Sequence, residues 1–409
     1  MTYTPAVGTI LSPPLIEGTT TRFHLFCPLN NTVLYNRRQE LTHNVIPLRE
    51  TEVKLNGQNF TEILPPEVLY NIFDSLDLRS LSRCAQVNER WNLIANNLHF
   101  YRDIDLKMYW DKINTNTLEK LRKKLQKVRK LDMTWCNEYQ LGSAEFAPHE
   151  FIDSIERILE EAKETLTHLC LNHASWISKT ILHRIFDCSN LEELRLRNIH
   201  FRDFNYWSMS SNTVMKLKTL DVSMSGIEKK HLTDILKNSP NLENLIMDDC
   251  RRLKNPEPII TTVTNYNKKL KTWSSSSTFS GQDSSQIYGE FGKLIYLEYL
   301  DLSLCEPEPY RTNCLENIAM NCKKLKRLEL AFWKQLTDQQ LLPIITRCKE
   351  LSHLNLTKTT KISPMALSIA CNNLPNLRHL CIYSSIEISK EMIEDLTQKY
   401  PKVKMYNLK

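Results

Sequence analysis

Apolar residues recur along most of this chain in the phrase Leu-x-x-Leu-x-Leu or a close apolar variant. The phrase opens at residues 128, 166, 191, 217, 242, 270, 297, 325, 351, 377 and 403. After a first spacing of 38 residues, successive openings differ by only 25 to 28 residues. A period of this length indicates one supersecondary unit that is repeated and stacked into a solenoid.

Each unit combines a strand pattern with a helix pattern. Leu325, Leu328 and Leu330 are spaced by three and two, which puts the inward side chains of a short strand on one face. About ten residues later, Leu341, Leu342 and Ile345 have helical spacing. The pattern predicts an α/β fold, a leucine-rich-repeat horseshoe with parallel strands on its concave face and helices on its convex face.

The composition is that of an ordinary globular protein, with 409 residues, 41% hydrophobic and 24% charged. The formal net charge of +6 is too mild to imply a polyanionic partner. Six of the twelve cysteines follow the repeat, three residues before an opening or eight residues after one. We therefore expect reduced structural thiols at Cys188, Cys322, Cys348, Cys136, Cys250 and Cys305.

The sequence lacks the short motifs of common catalytic and cofactor sites. Its eight glycines form no GxGxxG, GK[ST] or GxSxG motif, and no Cys-x-x-Cys pair or compact Cys/His cluster suggests a metal. His168 and His173 lie near Cys170, but on a predicted strand neighbouring side chains alternate between faces. We therefore predict a non-catalytic protein with no cofactor and no metal site. We also expect no signal peptide and no transmembrane segment.

The chain divides into three predicted regions. Residues 1–60 mix Pro, Thr and Asn with scattered apolar residues, and are interpreted as a poorly ordered leader or the remnant of a domain. Residues 61–106 show three short helical patterns and no strand pattern, and so small a segment needs a neighbour to cover its apolar surface. Residues 107–409 hold the repeats.

The second region carries a specific pattern, LPPEVLYNIFDSLDLRSLSRCAQVNERW. Here the chain resembles an F-box, which reads Leu-Pro-x-Glu, then Ile-Phe-x-x-Leu, then Asp-Leu, Val and Trp at set intervals. The resemblance implies that these helices bind a Skp-type adaptor. The expected contacts, which could instead fill an internal core, are Leu64, Pro65, Glu67, Leu69, Ile72, Leu76, Val87 and Trp91, with Val87 and Trp91 holding the helices together or flanking the contact.

The third region is similar to the cysteine-containing leucine-rich-repeat subclass. Its unit reads Cys-x-x-Leu-x-x-Leu-x-Leu and then a helix preceded by Thr-Asp, and Cys322 to Leu351 is nearly a complete example. An F-box followed by such repeats defines the F-box/leucine-rich-repeat family, and the resemblance covers about 345 residues. The segment LKMYWDKINTNTLEKL is similar to the mitochondrion-associated member, whose upstream discoidin-like domain has no counterpart before residue 60.

The family resemblance implies a substrate-recognition subunit of an SCF-type ubiquitin ligase. Through the adaptor the chain would join a cullin and a RING protein, and its repeats would hold an unknown protein substrate for ubiquitination and proteasomal degradation. The competing interpretation is a non-degradative interaction scaffold or inhibitor, because fold alone does not fix function. The expected location is cytoplasmic or nuclear, with mitochondrial association implied only by the subgroup resemblance.

Alternate strand residues of a horseshoe point to its concave surface, where such proteins commonly bind. Aromatic residues and arginine are the usual anchors of an interface. On this basis the predicted substrate contacts are Trp135, Arg195, Arg197, Asp248, Asp249, Tyr299, Phe332 and Tyr383. Trp333 falls on the small-residue position that cysteine occupies in other repeats, so we expect it to be buried instead.

Three segments depart from the repeat pattern. From Leu270 to Gln286, serines follow Trp273, so we expect flexibility and propose a phosphorylatable binding loop between Ser274 and Ser285. A second loop is expected over residues 138–148. The basic run from Lys120 to Lys130 has apolar residues at core-facing intervals, which favours the outer helix of the first repeat over a nucleic-acid site.

Overall fold

The computed structural model describes residues 64–136, 148–200, 214–280, 285–307, 314–383 and 389–406. Predictions for residues 1–60 and for most of the loop over 138–148 lie outside these residues. The described residues from Pro65 onward belong to one compact unit, which combines a helical segment with a repeat array.

The helical segment contains three short helices, which confirms the predicted pattern. Pro66 lies in the first turn of the first helix. Amide hydrogens in a first turn have no partner within the helix, so proline, which lacks one, loses no hydrogen bond there. The side chains of Asp77 and Asn88 cap the other two helices by accepting the amide hydrogens of Ser80 and Trp91, each at 2.8 Å. The bounds are α1 (Pro66–Asp74), α2 (Leu78–Cys84) and α3 (Glu89–Ala95).

Aromatic rings fill the core of this segment and connect it to the repeats. The rings of Trp91 and Phe73 make a T-shaped contact with 5.2 Å between ring centroids. Phe100 lies 6.3 Å from Phe73 and 5.6 Å from Tyr70. Because Phe100 belongs to a short 3-10 helix over Leu98–Tyr101 that leads directly into the first strand, these rings anchor the helices to the repeat array.

Within the described residues, twelve parallel strands follow one another in chain order as a single sheet. Each strand is three residues long. The strands are β1 (Asp103–Asp105), β2 (Lys130–Asp132), β3 (His168–Cys170), β4 (Glu193–Arg195), β5 (Thr219–Asp221), β6 (Asn244–Ile246), β7 (Thr272–Ser274), β8 (Tyr299–Asp301), β9 (Arg327–Glu329), β10 (His353–Asn355), β11 (His379–Cys381) and β12 (Lys404–Tyr406).

Helices between the strands pack side by side, with α4 on α5, α7 on α8 and α10 on α11. They are α4 (Thr115–Leu125), α5 (His149–Ala162), α6 (Lys179–Phe186), α7 (Lys229–Lys237), α8 (Glu257–Tyr266), α9 (Ser285–Tyr288), α10 (Cys314–Asn321), α11 (Asp338–Arg347), α12 (Pro364–Asn373) and α13 (Lys390–Lys399). Further 3-10 helices span Lys107–Lys112 and Gly289–Lys293.

The register of the sheet confirms the strand pattern. Leu328, the middle residue of β9, pairs with Leu300 on one side and Leu354 on the other. Leu325, Leu328 and Leu330 are all fully buried. In α11 the expected stripe is shifted, because Leu342 is 44% exposed while Ile344 is buried beside Leu341 and Ile345.

Both ends of the sheet depart from the sequence prediction. Strand β1 lies in the segment that shows only helical patterns, and Ile104 provides its buried middle residue. Strands β2 to β11 begin two residues after a repeat opening, whereas β12 begins at Lys404, one residue after Val403. Measured from strand to strand, the last unit is therefore one residue shorter than the spacing of its repeat openings suggests.

The serine-rich segment that begins at residue 270, which departs from the repeat pattern, contains a regular strand. Trp273 replaces the middle leucine of β7 and is fully buried, and its indole nitrogen donates to Ser275 Oγ at 2.9 Å. Ser274 and Ser275 are also buried, so the predictions of flexibility and of phosphorylation are wrong at these two residues. Residues 276–280 continue as a turn in which Ser276 and Ser277 are half-buried and Ser280 is exposed, and phosphorylation there stays a prediction. Residues 281–284 lie outside the described residues.

The cysteine positions and the basic run behave as structural features. Cys136, Cys188, Cys250, Cys305, Cys322 and Cys348 are buried, as is Trp333, and burial raises the pKa of each of these six thiols. Helix α4 contains most of the basic run. Its Leu118 and Leu125 are buried, while Lys123 is exposed. This confirms the interpretation of the run as a repeat helix.

Candidate interaction surfaces

The expected adaptor contacts divide by exposure. Pro65 and Glu67 are exposed, as are Ile72 and Val87, with exposed fractions of 44% and 54%. Leu64, Leu76 and Trp91 are half-buried. Leu69 has no exposed area and is reassigned to the core, because a side chain beneath the surface is not available to a partner.

Helix α1 has two apolar faces rather than one. Leu69 and Phe73, four residues apart, face the core of the segment. Val68 and Ile72, also four residues apart, lie on another face and are exposed. The sequence interpretation predicted both Leu69 and Ile72 as adaptor contacts, and it missed Val68 as well as Leu93 of α3, which is 77% exposed. The four-residue spacing of Val68 and Ile72 was the available signal.

Trp91 holds the helices together. Its ring packs on Phe73, and its indole nitrogen is buried without a hydrogen-bond partner among the described residues. Val87 lies in the turn between α2 and α3 and points outward. Of the two roles the sequence allowed for these residues, packing therefore fits Trp91 and flanking the contact fits Val87.

A second surface, the open sheet face, is formed by the first and third residues of each strand. The middle residue of strands β1 to β11 is buried, so the first and third point to the opposite side of the sheet. Arg195 and Tyr299 lie on this face. Arg197, Asp248 and Tyr383 follow two residues after their strands, and Trp135, Asp249 and Phe332 come one residue later in the next turn.

The turn after each of the strands β2 to β10 holds a residue with positive φ, in the left-handed region. Nine such residues occupy one position in nine successive repeats, and none is glycine. Positive φ is strained for most L-residues. Its recurrence at one position therefore indicates that each of these repeats needs this turn to direct the chain out of the strand. The row consists of Trp135, His173, Asn198, Met224, Asp249, Ser277, Leu304, Phe332 and Lys358.

The first two members of this row form a stacked aromatic pair. The rings of Trp135 and His173 lie 3.6 Å apart at 11°, and Trp135 is 37% exposed. Burial lowers the pKa of His173 to about 4, with further lowering from Arg197 and Lys107. A ring nitrogen of His173 is 2.9 Å from the amide nitrogen of Asn198. The two stacked rings therefore carry no charge at neutral pH.

An ionic cluster lies on β4 and β5. Arg195 binds Glu193 at 2.5 Å, and its guanidinium is also 3.8 Å from Asp221. Arg197 lies 3.6 Å from the same carboxylate. Both arginines are partly exposed, so they can also contact a partner.

Carboxyl groups dominate the middle of the open sheet face. Asp248 accepts hydrogen bonds from Ser274 Oγ at 2.7 Å and from the amide of Ser276 at 2.9 Å, both on Oδ1. Burial raises the pKa of Asp248, and the charge of Asp221 adds to this. Asp301 accepts from the Ser303 amide at 2.8 Å. Burial, reinforced by Asp248 and Glu329, raises the pKa of Asp301 to about 8.

The sequence interpretation missed Asp221, Asp301 and Glu329. All three are the third strand residue, directly after the middle leucine, in LKTLDV, LEYLDL and LKRLEL. Aligning the repeats would have revealed this recurring acid. Asp249 and Tyr383, which were predicted, are half-buried in the turns, and Asp249 pairs with Arg251 at 3.2 Å.

Planar side chains line the last part of the face. The Arg327 guanidinium lies 5.2 Å from the centre of the Tyr299 ring, and Lys358 lies 4.9 Å from that of Phe332. The rings of His353 and His379 stack at 4.3 Å. Burial lowers the pKa of His353 to about 4 and also lowers that of His379.

The structure offers no support for nucleophilic chemistry at Cys170. Burial raises the pKa of this thiol to about 12, so it is protonated at neutral pH, whereas a nucleophilic cysteine needs a lowered pKa. Within the described ranges, no three His, Cys, Asp or Glu side chains are arranged to hold a metal ion. No helix in that part of the chain has the length and apolarity to span a membrane.

Two family models match the chain. An F-box-like model matches residues 61–107, which include α1 to α3. A model described as "FBD-associated F-box protein At5g56370, LRR repeats" matches residues 157–274, from within α5 to the end of β7. The two matches correspond to the helical segment and to part of the repeat array.

Two curated relatives have the same combination. F-box/LRR-repeat protein 4 of Bos taurus is 24% identical over 299 residues, which are 72% of this chain and 46% of that protein. F-box/LRR-repeat protein 5 of Bos taurus is 25% identical over 250 residues, which are 54% of this chain and 35% of that protein. The chain therefore spans less than half the length of either relative.

Among solved structures, one described as "Crystal structure of Rad7 and Elc1 complex in yeast" aligns with a TM-score of 0.48 and 16% identity. The alignment covers 81% of this chain and 98% of that chain. The fold described above follows from the strand and helix order of this chain, independently of that likeness.

Proposed function

We propose, from the premise that this chain joins an F-box-like domain to leucine-rich repeats, that it is the substrate-recognition subunit of an SCF-type ubiquitin ligase. The helical segment binds a Skp-type adaptor, and the open sheet face holds a protein substrate. Through the adaptor, a cullin and a RING protein complete the complex. The chain itself contributes proximity, because holding a substrate lysine near an activated thioester raises its effective concentration.

The observation that carries the proposal is the exposed apolar face of the F-box-like segment. Val68 and Ile72 are 39% and 44% exposed on adjacent turns of α1, and Pro65 precedes them on the same segment. Burying a large aliphatic side chain contributes on the order of 1.5 to 3 kcal/mol. An adaptor that covers Val68 and Ile72 would therefore be bound through this face.

The direct test replaces Val68 and Ile72 together by aspartate and measures co-purification with adaptor and cullin. Because both side chains point outward, the fold should persist while the apolar contact is lost. Met365→Asp is a matched control, since Met365 is a 73% exposed apolar residue in the first turn of α12, far along the chain from the F-box-like segment. Retention of adaptor by the double variant would contradict the proposal.

A second measurement separates a ligase receptor from the competing scaffold. Proteins retained by the full chain in proteasome-blocked cells are followed by pulse-chase labelling, with wild type or the Val68/Ile72 variant expressed. A receptor should leave at least one of these proteins longer-lived when the adaptor face is lost. Unchanged lifetimes for all of them would favour the scaffold.

A further inference from the structure

The turns that lead from a helix into the next strand form one edge of the array, and three of them carry lysines around exposed apolar side chains. These turns end in KKL, IYL and KKL, just before strands β7, β8 and β9. We call their exposed part the lysine patch. It consists of Tyr266, Lys268, Lys269, Ile295, Tyr296, Met320, Lys323 and Lys324.

The register of the sheet brings the three turns side by side. The amide of Glu298 donates to the carbonyl oxygen of Lys271 at 2.7 Å, and the amide of Lys326 donates to that of Glu298 at 2.8 Å. Neighbouring strands lie about 4.8 Å apart. The apolar pair of the middle turn therefore lies between two lysine pairs at equivalent positions. The ammonium group of Lys324 is 4.7 Å from the centre of the tyrosine ring in this pair.

The apolar side chains of the patch are open to solvent. Tyr266 and Met320 lie in the last turns of α8 and α10, and Ile295 and Tyr296 lie in the middle turn. Each of the four is between 42% and 53% exposed, whereas the leucine of each repeat opening beside them is fully buried. Large apolar side chains exposed together are typical of an interaction surface.

The four lysines of the patch carry charge that the chain does not neutralise. All four are exposed, and among the described residues none of their ammonium groups has a carboxylate within 4.0 Å. Lys269 donates to the side-chain oxygen of Asn241, and Lys323 donates to the carbonyl oxygen of Ala319, each at 2.8 Å. Both acceptors are neutral. The next lysine of each turn is by contrast paired with a glutamate.

The combination of cations and apolar side chains limits what can bind. A nucleic acid or a polyacidic chain would contact the lysines and leave Ile295 and Met320 in water. A partner helix would need a groove, whereas the patch lies on turns at an edge. An anionic lipid surface suits both components, because its headgroups attract lysine and its acyl boundary accepts aliphatic and tyrosine side chains.

We propose that the lysine patch binds the surface of an anionic membrane. The four lysines would lie among the headgroups, and Ile295 and Tyr296 would insert at the acyl boundary. The patch is separate from the exposed face of α1 and from the open sheet face, so membrane binding does not depend on the proposed function. Because the charges are exposed, the attraction should weaken as salt is added.

The test measures co-sedimentation of the full chain with phosphatidylcholine vesicles that contain either no anionic lipid or about one third phosphatidylserine. At low salt, wild type should bind the phosphatidylserine vesicles about tenfold more tightly or better, and added salt should reduce this difference. Equal binding to the two kinds of vesicle, or no binding to either, would overturn the inference.

A charge variant removes the four cations of the patch. Each lysine near an anionic surface strengthens binding about fivefold, so losing even two such contacts should weaken binding to phosphatidylserine vesicles about 25-fold. The changes are Lys268→Gln, Lys269→Gln, Lys323→Gln and Lys324→Gln.

The matched control makes the same change in net charge at the opposite edge, where the chain passes from a strand into a helix. It replaces four exposed lysines by glutamine, at Lys229, Lys230, Lys334 and Lys361. The control should bind phosphatidylserine vesicles nearly as wild type does. An equal loss in both variants would mean that net charge alone drives binding, and the patch would not be the site.

A second variant tests the apolar part with the charges unchanged. Ile295→Ser with Tyr296→Ser should weaken binding to phosphatidylserine vesicles about five- to tenfold, because the side chains that insert are lost. Met365→Ser, at an exposed apolar residue of the opposite edge, should bind as wild type does. Full binding by the double serine variant would indicate a general polyanion site and overturn the assignment to a membrane. Thermal midpoints within a few degrees of wild type confirm that each variant is folded.

Discussion

The helical segment and the repeat array bury apolar residues in different ways. In the array, the middle residue of a strand is enclosed by the equivalent residues of both neighbours, as Leu328 is between Leu300 and Leu354. In the helical segment, the core depends on the contacts of Phe73, and α1 still exposes Val68 and Ile72. The array completes its own core and presents charge, whereas the segment presents apolar surface that a partner can cover.

The largest effect should come from Phe73→Ala. This fully buried ring contacts both Trp91 and Phe100, and Phe→Ala in a core costs about 3 to 5 kcal/mol. Hydrogen exchange should show lost protection in α1 to α3 while β8 to β10 stay protected, because repeats depend mainly on their neighbours. Ile72→Ala, on the exposed face of the same helix, is the control. Equal loss across both regions would mean that they unfold as one.

A slightly smaller effect is expected for Leu328→Ala. The side chain is fully buried, and a Leu→Ala cavity costs about 2 to 5 kcal/mol. Unlike Phe73→Ala, it should loosen strands on both sides of β9 and leave the helical segment protected. Urea unfolding gives the free energy, and Leu342→Ala provides the control, since Leu342 is 44% exposed in the same unit. A loss below about 1 kcal/mol would contradict the neighbour-enclosed core.

A moderate effect follows from the charge that the array presents. In the folded chain the pKa of Asp301 is raised to about 8 by burial, Asp248 and Glu329, so Asp301 keeps a proton that the unfolded chain releases above about pH 4. This contribution therefore destabilises the fold progressively as pH rises from about 4 to 8 and levels off above 8. Ser303, Tyr299 and their hydrogen bonds face the same group.

Asp301→Asn should remove that contribution while an amide oxygen still accepts from Ser303. At pH 8 to 9 the variant should be more stable than wild type by on the order of 1 to 3 kcal/mol, and near pH 4 the difference should vanish. Thermal midpoints measured across this pH range give the result. Glu298→Gln, at a half-exposed position beside Lys326, should show no such pH dependence. A destabilised Asp301→Asn at pH 9 would contradict the raised pKa.

The two regions also differ in how far sequence alone predicts them. Apolar spacing located ten strands and the helices of the array, because each unit repeats the same burial requirement. It missed β1 because Asp103–Asp105 presents one apolar residue between two acids, and pairing with β2 provides the strand. It misjudged the serine-rich segment because Trp273 can fill the position of a leucine, and the neighbouring repeats hold it in register.

Side-chain exposure was harder to predict in the helical segment than in the array. Helical spacing groups Leu69, Ile72 and Phe73 on one face, but only the packing of α3 and Phe100 decides which residue is enclosed. On the open sheet face, the predicted arginines and Asp248 came together with acids that were not predicted. The raised pKa values of Asp248 and Asp301 depend on contacts between strands that are roughly 25 residues apart in sequence.

The smallest effect concerns an ion-pair ladder along one edge of the array. The residue after each repeat opening alternates in charge over six units, and Glu192–Lys218, Glu243–Lys271 and Glu298–Lys326 pair at 2.9, 2.7 and 2.8 Å. Lys271 and Glu243 are 46% and 32% exposed, so solvent screens their attraction. A double-mutant cycle with Lys271→Gln and Glu243→Gln should give a coupling energy of about 0.2 to 1 kcal/mol, decreasing as salt is added.

The matched cycle uses Arg327→Gln and Glu329→Gln, whose side chains are only 17% and 7% exposed on the open sheet face. Because solvent screens this pair less, its coupling should be larger and less sensitive to salt. Equal coupling for the two pairs would mean that water reaches the open sheet face as freely as the edge.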